Sequence, residues 1–194
     1  MSFRTQLFLA SLLILLSGCK DKNLTVYEAP KDIRPTPHTV EAPASIQTND
    51  LVWENPKTWT TAALSSFRKG SFNVTDSNGQ KVDISVIAFP NRAGGLLPNI
   101  NRWRGQLGLA PLTPEQLPEQ TTPLTIAGLP ATLVEMVSET TVLDEKFKSR
   151  IIAAILPYNH QSWFFKMSGE DSAVLAQEET FMSFLKTVQT PTSP

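Results

Sequence analysis

The sequence predicts an α+β fold in which a largely antiparallel β-sheet is covered by two main helices, an α/β/α sandwich. The first observation is a set of short segments that alternate between apolar and polar residues or are apolar throughout, as strands do. The second is that turn sequences separate most of these segments, so that neighbours along the chain pair as antiparallel hairpins. The third is a pair of amphipathic segments with the spacing of helices that cover a sheet.

Six strands are predicted, beginning with a hairpin formed by 66–74 and 81–89. The turn between them contains Asn78-Gly79, a strong local hairpin signal. Alternation in the second strand puts a mixture of polar and apolar residues on one face and only apolar residues on the other. The first face carries Asp83, Ser85, Ile87 and Phe89, and the second carries Val82, Ile84, Val86 and Ala88. The remaining strands are 122–126, 130–138, 150–156 and 162–168.

Two helices complete the predicted domain. In 96–107 an apolar stripe repeats with helical spacing, and Pro98 falls in the first turn, where proline is tolerated. The stripe consists of Leu96, Ile100, Trp103 and Leu107. The final helix follows Asp171, the predicted cap, and packs by Phe181, Leu185 and Val188.

The N-terminal part of the chain has the features of a targeting segment and a tether. The apolar run 7–16 is too short for a bilayer, which needs about 20 apolar residues, and it indicates a secretory signal. The predicted organisation is a signal peptide at 1–18, a Pro-rich tether at 19–50, one globular domain at 51–189 and a disordered tail at 190–194.

Composition excludes several classes of function. The net charge of −1 leaves no electrostatic footprint for nucleic acid, and one cysteine permits no internal disulfide or Cys-based zinc site. His160 is the only histidine of the predicted domain, and no Gly-x-Ser-x-Gly motif is present. No catalytic residue, metal site or cofactor is therefore predicted, and the chain is predicted not to be an enzyme.

The candidate contact site opens the first helix. Gly94 and Gly95 can present backbone N–H groups to an anion, and Asn99, Arg102 and Gln106 form a polar stripe behind them. The guanidinium of Arg102 suits a carboxylate or a phosphate. The alternative is a tight turn followed by a helix whose amides bind neighbouring loops. The four tryptophans suggest either a ligand groove or core packing, with Trp103 and Trp163 in the core.

Two resemblances bear on these predictions. Leu16-Ser17-Gly18-Cys19 resembles the lipobox of bacterial lipoproteins. The resemblance implies cleavage before Cys19 and a lipid on its thiol. It also implies a periplasmic position at the outer membrane rather than the inner membrane, because an Asp directly after the cysteine favours inner-membrane retention and this chain has Lys20 there. The block of Gly94-Gly95 and Asn99-Ile100-Asn101-Arg102-Trp103-Arg104-Gly105-Gln106 resembles an uncharacterised family of bacterial lipoproteins without an assigned activity.

A more distant resemblance concerns the fold. The opening Trp53, Pro56 and Trp59, the hairpin and the closing helix resemble PsbP-type sandwiches, which are small accessory subunits. Because the domain has no nucleophile–base pair or metal set and follows a long tether, we predict a non-enzymatic accessory or protein-binding module that meets an envelope protein at 94–106. The alternative is a protein that binds a small ligand or an anionic glycan through the same segment.

Overall fold

An antiparallel β-sheet organises the part of the chain that this computed structural model describes, residues 50–65, 67–90, 94–143 and 146–191. The seven strands of these residues lie in the order β1-β2-β3-β7-β6-β5-β4, and every neighbouring pair is antiparallel. Their bounds are Thr60–Thr61 (β1), Arg68–Thr75 (β2), Lys81–Pro90 (β3), Thr122–Ile126 (β4), Leu129–Val137 (β5), Ser149–Tyr158 (β6) and Gln161–Glu170 (β7). The helices are Leu96–Gln106 (α1), Asp171–Leu175 (α2) and Glu178–Thr187 (α3), with a 3₁₀ turn at Leu117–Gln120.

Three hairpins and the short edge strand β1 form the sheet, and the third hairpin lies between the other two. The β2–β3 hairpin and the β4–β5 hairpin lie apart, and the β6–β7 hairpin inserts between them, with β7 against β3 and β6 against β5. Asn159 and His160 form its two-residue turn, both with positive φ (48° and 58°). Turns of this hand match the twist of the strands they join.

The two faces of the sheet bury separate apolar clusters. Along β7, Trp163, Phe165 and Met167 pack with residues of α2 and α3, whereas Phe164 packs with residues of α1. This follows from strand alternation, since successive side chains point to opposite faces. Residues 151–156 of β6 are all apolar and buried because both faces of the strand are covered there. The predicted α+β class, with helices on an antiparallel sheet, is confirmed.

The C-terminal helix differs from its prediction. The predicted single helix is divided at Ala176 and Gln177 into α2 and α3, and its cap is Glu170 rather than Asp171. A carboxylate oxygen of Glu170 accepts a hydrogen bond from the backbone N–H of Ala173 at 2.8 Å. Asp171 instead accepts a hydrogen bond from Arg150 at 2.6 Å, which ties the start of α2 to β6.

The predicted signal peptide, Cys19 and nearly all of the predicted tether lie outside the described residues. Among the helices that the structure does describe, none has the length and apolar character needed to cross a membrane.

Candidate ligand-binding site

The helix α1 lies over one side of its sheet face. Its apolar residues Ile100, Trp103 and Leu107 form a cluster mainly with residues of β5, β6 and β7. On β2 and β3, residues facing the same way include polar and charged side chains, as the alternation of β3 predicts. The boundary between the apolar and the polar half of this face is the place where a ligand can meet both kinds of group.

Lys166 stands at this boundary. Strand register makes Ser71, Ser85 and Lys166 successive partners across β2, β3 and β7. The row then continues into apolar residues of β6 and β5, where Ala153 pairs with Lys166 and Val134 pairs with Ala153. The ammonium group of Lys166 is therefore the last polar group of the row before the apolar cluster beneath α1.

A cavity of about 220 Å³ opens between α1 and this part of the sheet. Arg102 and Gln106 border it on α1, and Lys166 borders it on β7. The remaining lining is apolar and aromatic, consisting of Ile87, Phe89, Trp103 and Phe164. The ring of Trp103 meets Phe164 edge-on with 5.8 Å between ring centroids, which fixes the floor. Cationic groups on an aromatic floor suit a ligand that is both anionic and partly apolar.

The environment of Lys166 disfavours its charged form. Burial lowers the pKa of this half-buried ammonium, and nearby Arg68 and Arg102 lower it further, whereas Asp83 acts in the opposite direction. Within the described part of the chain, Lys166 makes no hydrogen bond or ion pair. A desolvated cation without a partner is costly to the fold, and an anion in the cavity would offset that cost.

Asp83, the carboxylate of the described residues that acts on Lys166, is already engaged. Asp83 receives two hydrogen bonds from the guanidinium of Arg68, at 2.8 and 2.9 Å, and Arg68 also donates to the hydroxyl of Ser71 at 2.9 Å. The hydrogen bonds to Asp83 are the main reason that the pKa of Arg68 is raised. Asp83 thus neutralises Arg68, and its favourable effect on Lys166 is opposed by that of Arg68 itself. No carboxylate of the described residues forms an ion pair with Lys166 or Arg102.

A hydrogen-bonded chain orients Arg102. Its Nη2 donates to the side-chain oxygen of Asn99 at 2.7 Å, and the side-chain nitrogen of Asn99 donates to the carbonyl oxygen of Gly95 at 2.6 Å. Asn99 is buried, with 3% of its surface exposed, whereas Arg102 is exposed. The guanidinium of Arg102 is paired with no carboxylate of the described residues, so it is held in place yet remains available to a ligand.

The predicted contact residues are divided among three positions. Arg102 and Gln106 line the cavity of Lys166, and Asn99 lies behind them as a support. Gly95 lines a second, apolar cavity of about 320 Å³ with Leu96, Thr132, Ile155, Pro157, Ser162 and Phe164. Gly94 is exposed, and both glycines have a φ of 82°, a backbone conformation that favours glycine at the turn into α1. The role of these five residues in binding stays a prediction.

Sequence reasoning missed Lys166, Arg68 and Asp83 as members of this site. A signal for Lys166 was present, because it is the one charge inside the apolar run 163–167 of a central strand. The alternation of β3 had also placed Asp83 and Ser85 on the face that α1 partly covers. The local sequence pattern does not predict the β3–β7 pairing, which brings together two segments that are distant in the chain.

Two further side chains are relevant to chemistry. The hydroxyl of Ser85 is completely buried and has no hydrogen-bond partner among the described residues, so a ligand in the cavity does not reach it. His160 lies in the β6–β7 turn, as predicted, away from Lys166 at the middle of β7. No cluster of three metal-binding side chains occurs in the described ranges.

Comparison with known proteins gives similarity of fold at low sequence identity. No family model and no curated protein matches the chain. Similar solved structures include LpqN of Mycobacterium tuberculosis, involved in cell envelope biogenesis, at 13% identity over 73% of this chain and 83% of LpqN, with a TM-score of 0.43. Cyanobacterial PsbP from Synechocystis is 8% identical over 78% of this chain and 99% of its own, with a TM-score of 0.44.

A third similar structure comes from Bacteroides thetaiotaomicron, at 9% identity over 74% of this chain and with a TM-score of 0.43. This chain spans 46% of that protein's length. Such identities and scores extend no function to this chain, whose function has to be derived from its own side chains.

Proposed function

We propose that this protein is a lipid-anchored module of the bacterial cell envelope that binds a small anionic ligand without catalysing a reaction. The ligand lies in the cavity between α1 and β7, with its anionic group at Lys166 and Arg102. The observation that carries the proposal is Lys166, a desolvated ammonium that lines a cavity and has no ion-pair partner among the described residues.

Physical reasons favour a ligand over a purely structural role for Lys166. A structural lysine in a central strand gains stability only when an acid pairs with it, and Asp83 is engaged by Arg68. Arg102 is held toward the same cavity by Asn99, although nothing in the described fold requires a cation there. Arg102, which Asn99 orients, and Lys166, which lines the same cavity beside an aromatic floor, together suit an anion.

The lipid anchor of the proposal is Cys19. Lipid chains on this thiol would hold the domain at the membrane, since each buried methylene contributes about 0.8 kcal/mol and more than one chain is needed for stable anchoring. With Lys20 directly after Cys19, we place the protein on the periplasmic side of the outer membrane rather than the inner membrane.

The test of the binding site uses anilinonaphthalenesulfonate, a fluorescent probe that is both anionic and aromatic. We expect the full-length protein to bind the probe, and Lys166→Met and Arg102→Gln each to weaken binding about tenfold. The control is Lys186→Met, which removes an exposed cation from α3 on the opposite face of the sheet. Equal binding by all four proteins would exclude this cavity as the anion site.

A protein partner at the same face is the second candidate. It is favoured by Phe67, which remains 62% exposed while its ring packs against Phe89 at 5.5 Å, at the rim of the cavity. An exposed aromatic ring is a typical anchor of protein interfaces. Recovery of partners from a cross-linked envelope with wild type and with Arg102→Ala tests this role, and equal recovery of the same partners would exclude segment 94–106 as the docking site.

A further inference from the structure

We infer that the anion bound in this cavity is a phosphomonoester, a dianion on one tetrahedral group with an aromatic or other apolar substituent. This ligand class rests on the proposed function, and it adds the charge, the head group and the character of the rest of the molecule. Each of the three is set by a separate feature of the cavity.

The charge follows from the balance of ionised groups around the cavity. Among the described residues, Arg68, Arg102 and Lys166 are the cationic groups around the cavity, and Asp83 is the one carboxylate that acts on Lys166. Because Asp83 neutralises Arg68, two positive charges are left for the ligand to balance. A monocarboxylate or a sulfate ester balances one of them, whereas a phosphomonoester above its second pKa of about 6 balances both.

The head group follows from the size of the cavity and the side chains that border it. Its volume of about 220 Å³ is smaller than the 300–1,000 Å³ of a typical small-molecule site. A cavity of this size favours a compact head group that carries both negative charges close together. Arg102 offers a planar fork and Lys166 a point charge, a pair that suits the oxygens of a phosphate.

The substituent follows from the aromatic rim. The rest of the ligand has to leave the cavity, and Phe89 in its wall is continued outward by the exposed ring of Phe67. An aromatic or apolar substituent that lies against Phe67 covers a surface that is otherwise in contact with water. The ligand class is accordingly an organic phosphate and not inorganic phosphate.

The test is displacement of anilinonaphthalenesulfonate from the full-length protein by a matched set of small anions. Phenyl phosphate and phenyl sulfate share a ring and a tetrahedral group and differ in charge. Phthalate carries two charges on separate carboxylates, benzoate carries one charge, and inorganic phosphate has no ring. We expect phenyl phosphate to bind about tenfold more tightly than each of the others near pH 7.5.

Variants assign the preference to the two cations. Lys166→Met is expected to remove the preference of phenyl phosphate over phenyl sulfate, and Arg102→Gln, which changes an exposed side chain, does the same without altering the core. Lys186→Met keeps the preference. On acidification to about pH 5 the phenyl phosphate dianion takes up one proton and becomes a monoanion, and its advantage over phenyl sulfate should disappear. At pH 5 Lys166 is more fully protonated than at pH 7.5, which by itself would strengthen anion binding. A loss of affinity at pH 5 therefore results from protonation of the ligand's phosphate.

The outcomes separate the ligand class from the proposed function. If phenyl sulfate, benzoate or phthalate equals phenyl phosphate while Lys166→Met still weakens all of them, the site binds anions but the phosphomonoester is wrong. If inorganic phosphate equals phenyl phosphate, the aromatic rim has no role. If no anion in the set binds in a manner that depends on Lys166 or Arg102, the proposed function fails as well.

Discussion

At the scale of single residues, Lys166 is where folding and binding have opposite requirements. Its backbone is a central member of β7 and its neighbours in sequence, Phe165 and Met167, are completely buried. An apolar residue would suit this position, since the row of partners continues into Ala153 and Val134. In the proposed function, a cation here lowers the stability of the free protein and provides affinity for an anion, a trade-off typical of functional sites.

We expect Lys166→Met to stabilise the domain while it weakens anion binding. Methionine keeps an unbranched side chain as far as the ε position and removes the desolvated ammonium, and the gain in unfolding free energy at pH 7 should be about 1 kcal/mol. Chemical denaturation monitored by circular dichroism measures it. Because the folded pKa of Lys166 is lowered, the unfolded state binds more protons, and the stability of wild type rises as pH increases toward the ordinary lysine pKa.

The stability gain of Lys166→Met should therefore shrink as the pH is raised toward about 10. Lys186→Met is the control, since its side chain is exposed on α3 and its stability should follow that of wild type at every pH. A Lys166→Met protein that is less stable than wild type at pH 7 would mean that the ammonium has a favourable partner in the fold.

At the scale of secondary-structure elements, the sequence pattern predicted features that are set by residues close together in the chain, namely which face of a strand or helix is buried. The alternation of 81–89 gave the correct faces of β3, and the apolar stripe of 96–107 gave the buried side of α1. The break between α2 and α3 was not predictable from the apolar spacing, which continues through Ala176 and Gln177. The cap was misassigned because Glu170 and Asp171 are adjacent acids, and only the position of Arg150 on β6 decides between them.

The cap of α2 gives a prediction at this scale. Glu170→Ala removes the acceptor of hydrogen bonds from the Ala173 N–H and the Ser172 hydroxyl, and we expect it to lower the unfolding free energy by about 1 kcal/mol at pH 7. The hydrogen bond from Ser172 is the main cause of the lowered pKa of Glu170. The stabilisation is therefore present at neutral pH and is lost as the pH falls through the folded pKa of this carboxyl.

Denaturation midpoints of wild type and Glu170→Ala should accordingly converge below about pH 4. Glu179→Ala, which removes an exposed acid from the first turn of α3, is the matched control and should change stability little. An equal loss in both variants, or a loss from Glu170→Ala that does not depend on pH, would contradict the capping role of Glu170.

At the scale of the whole molecule, the site exists because the order of strands differs from their order along the chain. The sequence predicted hairpins, which are local, but the insertion of β6–β7 between the other two hairpins is decided by long-range packing. That insertion puts Lys166 of β7 beside Asp83 and Ser85 of β3 and beneath Arg102 of α1. Arg102 and Gln106 were predictable from a helical stripe, whereas the cation opposite them was not.

The same scale includes the proposed attachment of the domain to a membrane through Cys19. We expect Cys19→Ser to abolish incorporation of a fatty-acid label and to leave a precursor of higher mass, because a hydroxyl does not replace the thiol as acceptor of the lipid. Gel mobility and metabolic labelling with an alkyne fatty acid measure both effects in membrane fractions.

Ser17→Ala is the control for this substitution, because it changes the same motif but keeps a small residue before the cut, and it should mature and incorporate lipid as wild type does. Cys19 precedes the described domain, so anilinonaphthalenesulfonate should bind equally to purified wild type and Cys19→Ser. A Cys19→Ser protein that matures normally would refute the lipid anchor, whereas a Cys19→Ser protein that loses probe binding would show that the anchor and the cavity are coupled. Retention of binding without lipid would instead assign the two functions to separate parts of the chain: attachment to Cys19, and ligand recognition to Lys166 and Arg102.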